Sequence, residues 1–269
     1  MVEKERIDNL LVSKGFFSSR QQAQRSIMAG LVLVNQERID KPGTKVSVDA
    51  KITLKGQLHP YVSRGGLKLE EALRVFPIRV EGRVMLDIGS STGGFTDCAL
   101  QQGVKQVYAI DVGYGQLAWK LRQDPRVIVM ERTNFRYVST EQLTGDSPNL
   151  ATIDVSFISL SHILPNLKRL LLPEGEVVAL VKPQFEAGRD QVGKKGIIRD
   201  PSIHQRVLES FVQFAQEEGY EVRGLVPSPI QGGEGNIEFL AYLVLHPSQK
   251  MASRIDVAEI VKQAHHRFD

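Results

Sequence analysis

Val84-Met85-Leu86-Asp87-Ile88-Gly89-Ser90-Ser91-Thr92-Gly93-Gly94-Phe95 runs a short apolar strand straight into a glycine-rich turn. Without Cβ atoms, such glycines let backbone N–H groups approach a ligand closely and permit positive φ, so a nucleotide-like cofactor is the first expectation. Asp111 ends the next strand, twenty-four residues after Asp87, where a carboxylate can accept hydrogen bonds from both ribose hydroxyls of an adenosine group. The turn reads Gly89-x-x-x-Gly93-Gly94 rather than G-x-G-x-x-G, so the pyrophosphate fingerprint of nicotinamide enzymes is missing. No Gly-Lys-Ser/Thr follows, which excludes a P-loop.

Strand and helix signals alternate outward from this turn. The expected strands are Val84–Ile88, Gln106–Asp111, Val127–Met130, Ala151–Asp154, Val177–Lys182 and a final Glu238–Leu245. Helices are expected through Ala99-Leu100, around Leu117–Leu121, through Ile163–Leu172 and over Ser202–Glu218. Repeated βα units with short apolar strands predict a doubly wound α/β domain that binds ligands at the carboxyl ends of its strands. Before them, a helix places Leu69, Ala72, Leu73 and Phe76 on one face, with Lys68 in its first turn. The helix dipole disfavours a cation there, so Lys68 calls for a partner.

Residues 1–58 hold ten Lys and Arg against six Asp and Glu, an excess of +4 in a chain of net charge +3. The whole basic excess sits in this first fifth, which fits a polyanion partner and, on charge alone, equally a solvated face. Two helices are expected here, Arg6–Lys14 closed by Gly15, and Arg20–Ala29 capped by Ser18 or Ser19 and closed by Gly30. Short β patterns follow at Leu31–Asn35, Lys45–Val48 and Lys51–Leu54. Pro60 and the pair Gly65-Gly66 mark residues 59–67 as a linker. The domain reading is therefore 1–58, a linker at 59–67, an α/β domain at 68–248 and a C-terminal amphipathic segment at 249–269, whose Ile255, Ile260, Val261 and Ala264 can dock.

At 269 residues and 42% hydrophobic, the chain can bury a sizeable core. It has no run of ~18 apolar residues and no secretory h-region, so the expectation is a cytoplasmic protein without stable membrane association. Its single cysteine, Cys98, excludes an intramolecular disulfide framework and any multi-cysteine metal site. The six histidines show no ligand spacing, and no metal site is expected.

Several motifs together resemble one family. Arg6-Ile7-Asp8, Ser19-Arg20, Arg25, Ile27, Gly30, Val32, Val34-Asn35, Lys41-Pro42-Gly43 and Val46 are similar to the S4 RNA-binding domain. Leu86-Asp87-Ile88-Gly89-Ser90-Ser91-Thr92-Gly93-Gly94-Phe95-Thr96-Asp97 looks like the first motif of FtsJ-like, S-adenosylmethionine-dependent ribose methyltransferases. Adding Ser63-Arg64-Gly65-Gly66-x-Lys68-Leu69, Asp154-Val155-Ser156-Phe157-Ile158-Ser159 and Val181-Lys182-Pro183-Gln184-Phe185-Glu186, the chain resembles the TlyA or haemolysin A family from about residue 5 to 246.

The resemblance implies an rRNA (cytidine-2′-O)-methyltransferase that uses S-adenosyl-L-methionine, yields S-adenosyl-L-homocysteine and acts, as a monomer, on ribosomal RNA or ribosomal subunits. It also implies a Rossmann-like class I methyltransferase domain, mostly parallel with an antiparallel last strand, after a small α+β S4-like domain. Cofactor contacts would come from Asp87, Gly89, Ser90, Ser91, Thr92, Gly93, Gly94 and Phe95, with Asp111 for the ribose and Asn134 toward the adenine. RNA contacts would come from Arg6, Lys14, Ser19, Arg20, Arg25, Lys41 and Arg64. Apart from the resemblance, the long charged, glycine-punctuated loop Gln184–Asp200 suggests Lys194 and Lys195 closing over RNA, with a merely solvated basic tip as the alternative. A Lys-Asp-Lys-Glu tetrad falls on Lys68, Asp154, Lys182 and Glu238.

The residues add their own weight. Lys182 follows the apolar run Val177–Val181, so it projects from a strand end toward the expected crevice. There it serves either as a neutral base, which desolvation and a nearby Lys68 would favour, or as a cation that orients the hydroxyl and stabilises the alkoxide. Asp154 ends the fourth strand and can orient that lysine or the methyl-donor end of the cofactor; its plainer role is a cap on the following turn. Glu238 opens an alternating strand, where a solvent-facing edge carboxylate would be ordinary, but its place just after Gly232-Gly233-Glu234-Gly235-Asn236 favours a role at the site. An amino-methylating enzyme should carry Pro-Pro-aromatic after the fourth strand, and a cytosine C5 enzyme needs a nucleophilic cysteine; Asp154-Val155-Ser156-Phe157 and the position of Cys98 disfavour both. A catalytically idle RNA-binding assembly factor and a membrane-lytic toxin are the rivals from other classes, the second without a spanning or strongly basic amphipathic helix to support it.

Overall fold

The computed structural model describes residues 3–17, 19–28, 30–54, 59–188, 191–246 and 255–268. The chain divides into two compact units, Met1–Pro60 and Tyr61–Asp269.

The first unit orders β1 (Lys4–Arg6), α1 (Ile7–Ser13), α2 (Arg20–Met28), β2 (Val32–Val34), β3 (Glu37–Ile39), β4 (Lys45–Ser47) and β5 (Ile52–Leu54). β1 pairs antiparallel with β4, and a second antiparallel sheet runs β3-β2-β5. The sequence pattern did not announce β1 and β3, because each is three residues long and mostly charged. Asn35 and Gln36 both take positive φ, 50° and 71°, the conformation of a tight two-residue hairpin between β2 and β3. Ile7, Leu11, Ala23, Ile27 and Val32 pack the core. Asp8, fully buried, accepts hydrogen bonds from Arg6 (2.9 and 3.0 Å), Arg20 (2.9 Å) and Gln24 (2.9 Å). The Arg6 guanidinium, aided by Gln24 and Arg20, overcomes the effect of burial and holds the Asp8 carboxyl well below the usual carboxylate range.

The second unit contains α3 (Gly66–Val75), β6 (Val84–Ile88), α4 (Gly94–Gln101), β7 (Gln106–Ile110), α5 (Trp119–Arg122), β8 (Val127–Met130), β9 (Leu150–Ile153), α6 (Leu164–Leu170), β10 (Glu176–Val181), α7 (Pro183–Glu186), α8 (Pro201–Glu217), β11 (Tyr220–Pro227), β12 (Phe239–Leu245) and α9 (Val257–Phe268). Its seven-stranded sheet runs β11-β12-β10-β9-β6-β7-β8. β12 is antiparallel to both neighbours, and the remaining pairings are parallel. Every residue of β6, β9 and β12 is buried, the mark of strands covered on both faces. Leu86, Leu164, Leu208 and Val261 belong to one core cluster, and Met85, Leu69, Ala99 and Tyr242 to a second.

Three findings differ from the sequence reading. β11 was not anticipated, because a register shift between Val222 and Gly224 breaks its alternation and charged Glu221 and Arg223 interrupt its apolar run. β12 is therefore an interior strand, and Glu238 at its start is 2% exposed rather than a solvent-facing edge carboxylate. From Tyr61 onward the chain already packs with the second unit: Tyr61 is buried in its core, and the Val62 N–H donates to Asp97 Oδ2 at 2.7 Å. At the other end, α9 buries Val257, Val261 and Ala264, with Ile255 and Ile260 packed beside them; residues 249–254 of the tail lie outside the described residues. Cys98 is a buried core residue, its thiol pushed up to about 12 by burial.

The sheet order reverses beside β6, where the chain leaves β8 and returns to β9 on the other side. A crevice opens at such a switch point. Replacing Asp8 by Ala should leave the Arg6 and Arg20 guanidiniums without their shared acceptor and lower the stability of the first unit by about 2 kcal/mol. Thermal unfolding followed separately for each unit checks this, with the transition of the second unit expected to stay in place.

Candidate active site

The glycine-rich turn fills the crevice edge as the sequence requires. Gly89 takes φ +85°, and a Cβ there would stand 2.6 Å from the Asp154 carbonyl oxygen, so the two strand ends can meet only around a glycine. Gly93 takes φ +96° and leads into α4, where a Cβ on Gly94 would lie 2.4 Å from Ser63 Oγ. A cavity of about 300 Å³ results, lined by Gly89 to Thr92, Gly94 and Phe95 of the turn together with Lys68, Asp154, Lys182 and Glu238.

Asp87, almost fully buried, lines the same cavity and steadies the turn from beneath. Its Oδ2 accepts from Thr96 N (3.1 Å) and Thr96 Oγ1 (2.6 Å), and its Oδ1 from Thr152 Oγ1 (3.0 Å). Burial pushes this carboxyl up to about 6, against the pull of the Thr96 and Thr152 hydroxyls. Asp111 accepts from Ser91 N and Gly113 N, both at 2.7 Å, so it ties the turn to the segment after β7 and lies outside the cavity wall. Asn134 lies beyond β8, outside that wall, and caps a short 3₁₀ turn through Arg136 N.

The four other predicted side chains meet in one continuous network. Lys68 Nζ donates to Glu238 Oε2 at 2.8 Å and lies 3.5 Å from Asp154 Oδ2. Lys182 Nζ stands 2.5 Å from Asp154 Oδ1 and donates to Ser156 Oγ at 3.2 Å. The side chains of Lys68 and Lys182 are each 9% exposed and that of Glu238 3%, against 21% for Asp154, so three of the four charges are nearly withdrawn from water. Burial pushes the Asp154 carboxyl up, but Lys68 and Lys182 together outweigh it and hold the group below the usual carboxylate range. Asp154 is thus a bridge between two ammoniums and not a turn cap. The partner that Lys68 lacked in sequence is the Glu238–Asp154 pair, brought from strands 86 and 170 residues away.

Among the residues expected at RNA, Arg64 is exposed at the cavity wall. Lys14, Arg25 and Lys41 are exposed in the first unit, while Arg6 and Arg20 remain about half exposed although both pair with Asp8. Ser19 accepts from Gln22 N at 3.3 Å and so caps α2. Lys195 is exposed with φ +69°, and the side chain of Lys194 lies outside the described residues. Five wall residues were not assigned a site role from sequence: Ser63, Gly65, Ser156, Gly232 and Gly233. The signal for Ser156 was its place two residues past a strand-end aspartate; Gly232 gave no signal beyond lying in a glycine-rich stretch.

The sequence pattern of the FtsJ-like methyltransferases matches residues 61–244, which contain the whole cavity, and that of the S4 domain matches residues 5–52. The chain belongs to the FtsJ-like methyltransferase family. It is similar to the 16S/23S rRNA (cytidine-2′-O)-methyltransferase TlyA of Mycobacterium tuberculosis, 42% identical over 94% of this chain and 95% of that protein. Hemolysin A of Brachyspira hyodysenteriae is 41% identical over 89% of this chain and 100% of that protein. A solved structure from Streptococcus thermophilus, provisionally named a hemolysin, is 54% identical with a TM-score of 0.79 and covers 100% of this chain and 98% of that one.

In this FtsJ-like site, Gly232 is set by Glu238: a Cβ there would stand 2.1 Å from Glu238 Oε1. Gly232→Ala should drive that carboxylate off Lys68, lower the methyl-transfer rate roughly tenfold or more and also lower the melting temperature, because a buried charge pair is broken; initial rates and thermal melts read the two effects. Asp87 sets a pH dependence. Its folded-state value, raised above the ordinary carboxylate value, means that the stability linked to its bound proton is complete near pH 4 and lost as pH rises through about 6. Asp87→Asn should therefore gain on the wild type by about 3 kcal/mol between those limits, read from denaturant unfolding at stepped pH.

Proposed function

We propose that this protein transfers a methyl group from S-adenosylmethionine to the 2′-hydroxyl of cytidine in ribosomal RNA. The observation that carries the reading is the charge-balanced Glu238–Lys68–Asp154–Lys182 network lining one cavity together with the glycine-rich turn. A ribose hydroxyl is a weak acid, and its attack on a methyl group needs in-line placement, withdrawal of its proton and stabilisation of the charge growing on oxygen. S-adenosylmethionine supplies an electrophilic methyl on a sulfonium and leaves as S-adenosylhomocysteine. The Gly89–Phe95 turn offers the close backbone approach such a ligand needs, with Asp87 bracing it; Asp111, already holding Ser91, serves the ribose and Asn134 the adenine end.

Lys182 stands next to the reacting hydroxyl. Asp154 and Ser156 occupy two directions around its Nζ, so a further N–H is left for the 2′-oxygen, where a positive charge favours the developing alkoxide while the hydroxyl proton passes to solvent water. Lys68, itself held by Glu238, pairs with Asp154 and keeps the network neutral overall. The TlyA relative, named for cytidine-2′-O transfer on 16S and 23S rRNA, supports the substrate assignment.

Residues 1–58 act in this reading as the RNA-recognition module, through Arg6, Lys14, Ser19, Arg20, Arg25 and Lys41, ahead of the linker 59–67, the catalytic domain 68–248 and the tail 249–269. Arg64, Lys194 and Lys195 add RNA contacts around the site. The protein works on ribosomal subunits as a cytoplasmic monomer. No described helix is long and apolar enough to cross a membrane, and no described group of three or more His, Cys, Asp or Glu could hold a metal ion.

Purified protein incubated with labelled S-adenosylmethionine and ribosomal subunits or naked rRNA should place label on a cytidine ribose. Lys182→Ala should bind the cofactor normally and transfer at least about a hundredfold more slowly. Full activity in that variant would refute the mechanism, and label on a base would refute the reaction.

A further inference from the structure

β9 and β10 end side by side and deliver Asp154 and Lys182 to the cavity, but the segments that leave these strands also touch each other farther out. Glu186, at the end of α7 and four residues past Lys182, turns back toward the segment that follows Asp154. Its Oε2 accepts from Ser159 Oγ at 2.6 Å and its Oε1 from Leu160 N at 2.9 Å. Phe185 and Phe157 pack alongside with tilted rings, centroids 5.1 Å apart. Phe157 is 90% exposed and has φ +64°, a backbone conformation that costs a bulky residue about 1–2 kcal/mol and that solvent exposure does nothing to offset. Something must hold the segment in that shape, and the Glu186 carboxylate fastens it from the far side. Between the two anchor points lies Ser156, whose hydroxyl receives a hydrogen bond from Lys182.

We propose that Glu186 is a positioning residue for Lys182: by clasping Ser159 and Leu160 it fixes the 155–160 segment, so that Ser156 and Asp154 together aim the Lys182 ammonium into the cavity. This rests on the reading of Lys182 as the residue beside the reacting hydroxyl. Glu186 itself touches neither the cavity wall nor the four-charge network. Burial pushes its carboxyl up, and the Ser159 and Leu160 hydrogen bonds oppose that, consistent with a group committed to internal donors.

Glu186→Ala should lower kcat roughly tenfold or more while cofactor affinity stays within about twofold, because the glycine-rich turn does not depend on the clasp. Glu186→Gln should recover most of the rate, since its amide oxygen can accept from Leu160 N–H and its NH₂ can donate to Ser159 Oγ. A second readout needs no substrate: the NMR signal of the Lys182 Nζ group, assigned by its loss in Lys182→Ala, should shift in Glu186→Ala and return in Glu186→Gln. An unmoved Lys182 signal, or an unchanged kcat in a wild type that transfers methyl, overturns the clasp. So does a kcat that falls only in step with cofactor affinity and melting temperature, without recovery by Gln. A wild type that transfers no methyl while the Lys182 signal behaves as stated refutes the proposed reaction and leaves the clasp standing.

Discussion

Two ammoniums and two carboxylates share a space largely withdrawn from water, and the second unit is organised around keeping them there. Removing even one ion from water costs several kcal/mol, and mutual attraction repays that only when geometry is good and every charge has a partner. Here Glu238 is matched by Lys68, Lys68 by Asp154 as well, and Lys182 by Asp154 and Ser156. An apolar cluster of the same size would stabilise the fold at least as well, so such a network makes most sense as chemistry. It also constrains its surroundings: the 2.1 Å clearance at Gly232 leaves no room for a side chain beside Glu238, and the 2.6 Å approach at Gly89 leaves none beside Asp154.

The sheet makes the network possible. Asp154 and Lys182 leave the carboxyl ends of adjacent parallel strands, whereas Glu238 enters the amino end of an antiparallel one, so all three reach the same end of the strands. A parallel β12 would put Glu238 at the opposite end. Lys68 comes from outside the sheet, on the first turn of α3, and the buried Tyr61 together with the Val62–Asp97 hydrogen bond anchors the chain just ahead of it. The first unit relies on a smaller version of the same device, with one buried carboxylate, Asp8, gathering two arginines that still reach solvent.

Much of this was legible in the chain. The strand Val84–Ile88, its glycine-rich turn and the strand-end positions of Asp154 and Lys182 follow from local pattern, because an apolar run, a turn and the residue just past a strand end are properties of neighbours in sequence. Glu238 was legible as a residue of interest and misleading as an edge carboxylate, since whether β12 is an edge depends on β11, whose bulge at Val222–Gly224 hides its alternation. β1 and β3 were invisible for a related reason: three mostly charged residues become a strand only when a partner supplies the hydrogen bonds.

By itself the sequence determined the α/β class, the turn, the basic first module and, through its resemblance to a family, which four residues to watch; these rest on periodicity, composition and motif. Only the tertiary structure decided that Lys68 pairs with Glu238 across 170 residues, that Asp154 bridges two lysines instead of capping a turn, and that Ser156 and Glu186 belong to the neighbourhood of Lys182. The physical reason is that a buried charge is defined by its partners, and partners drawn from separate strands are fixed by sheet order and register, which no stretch of neighbouring residues encodes.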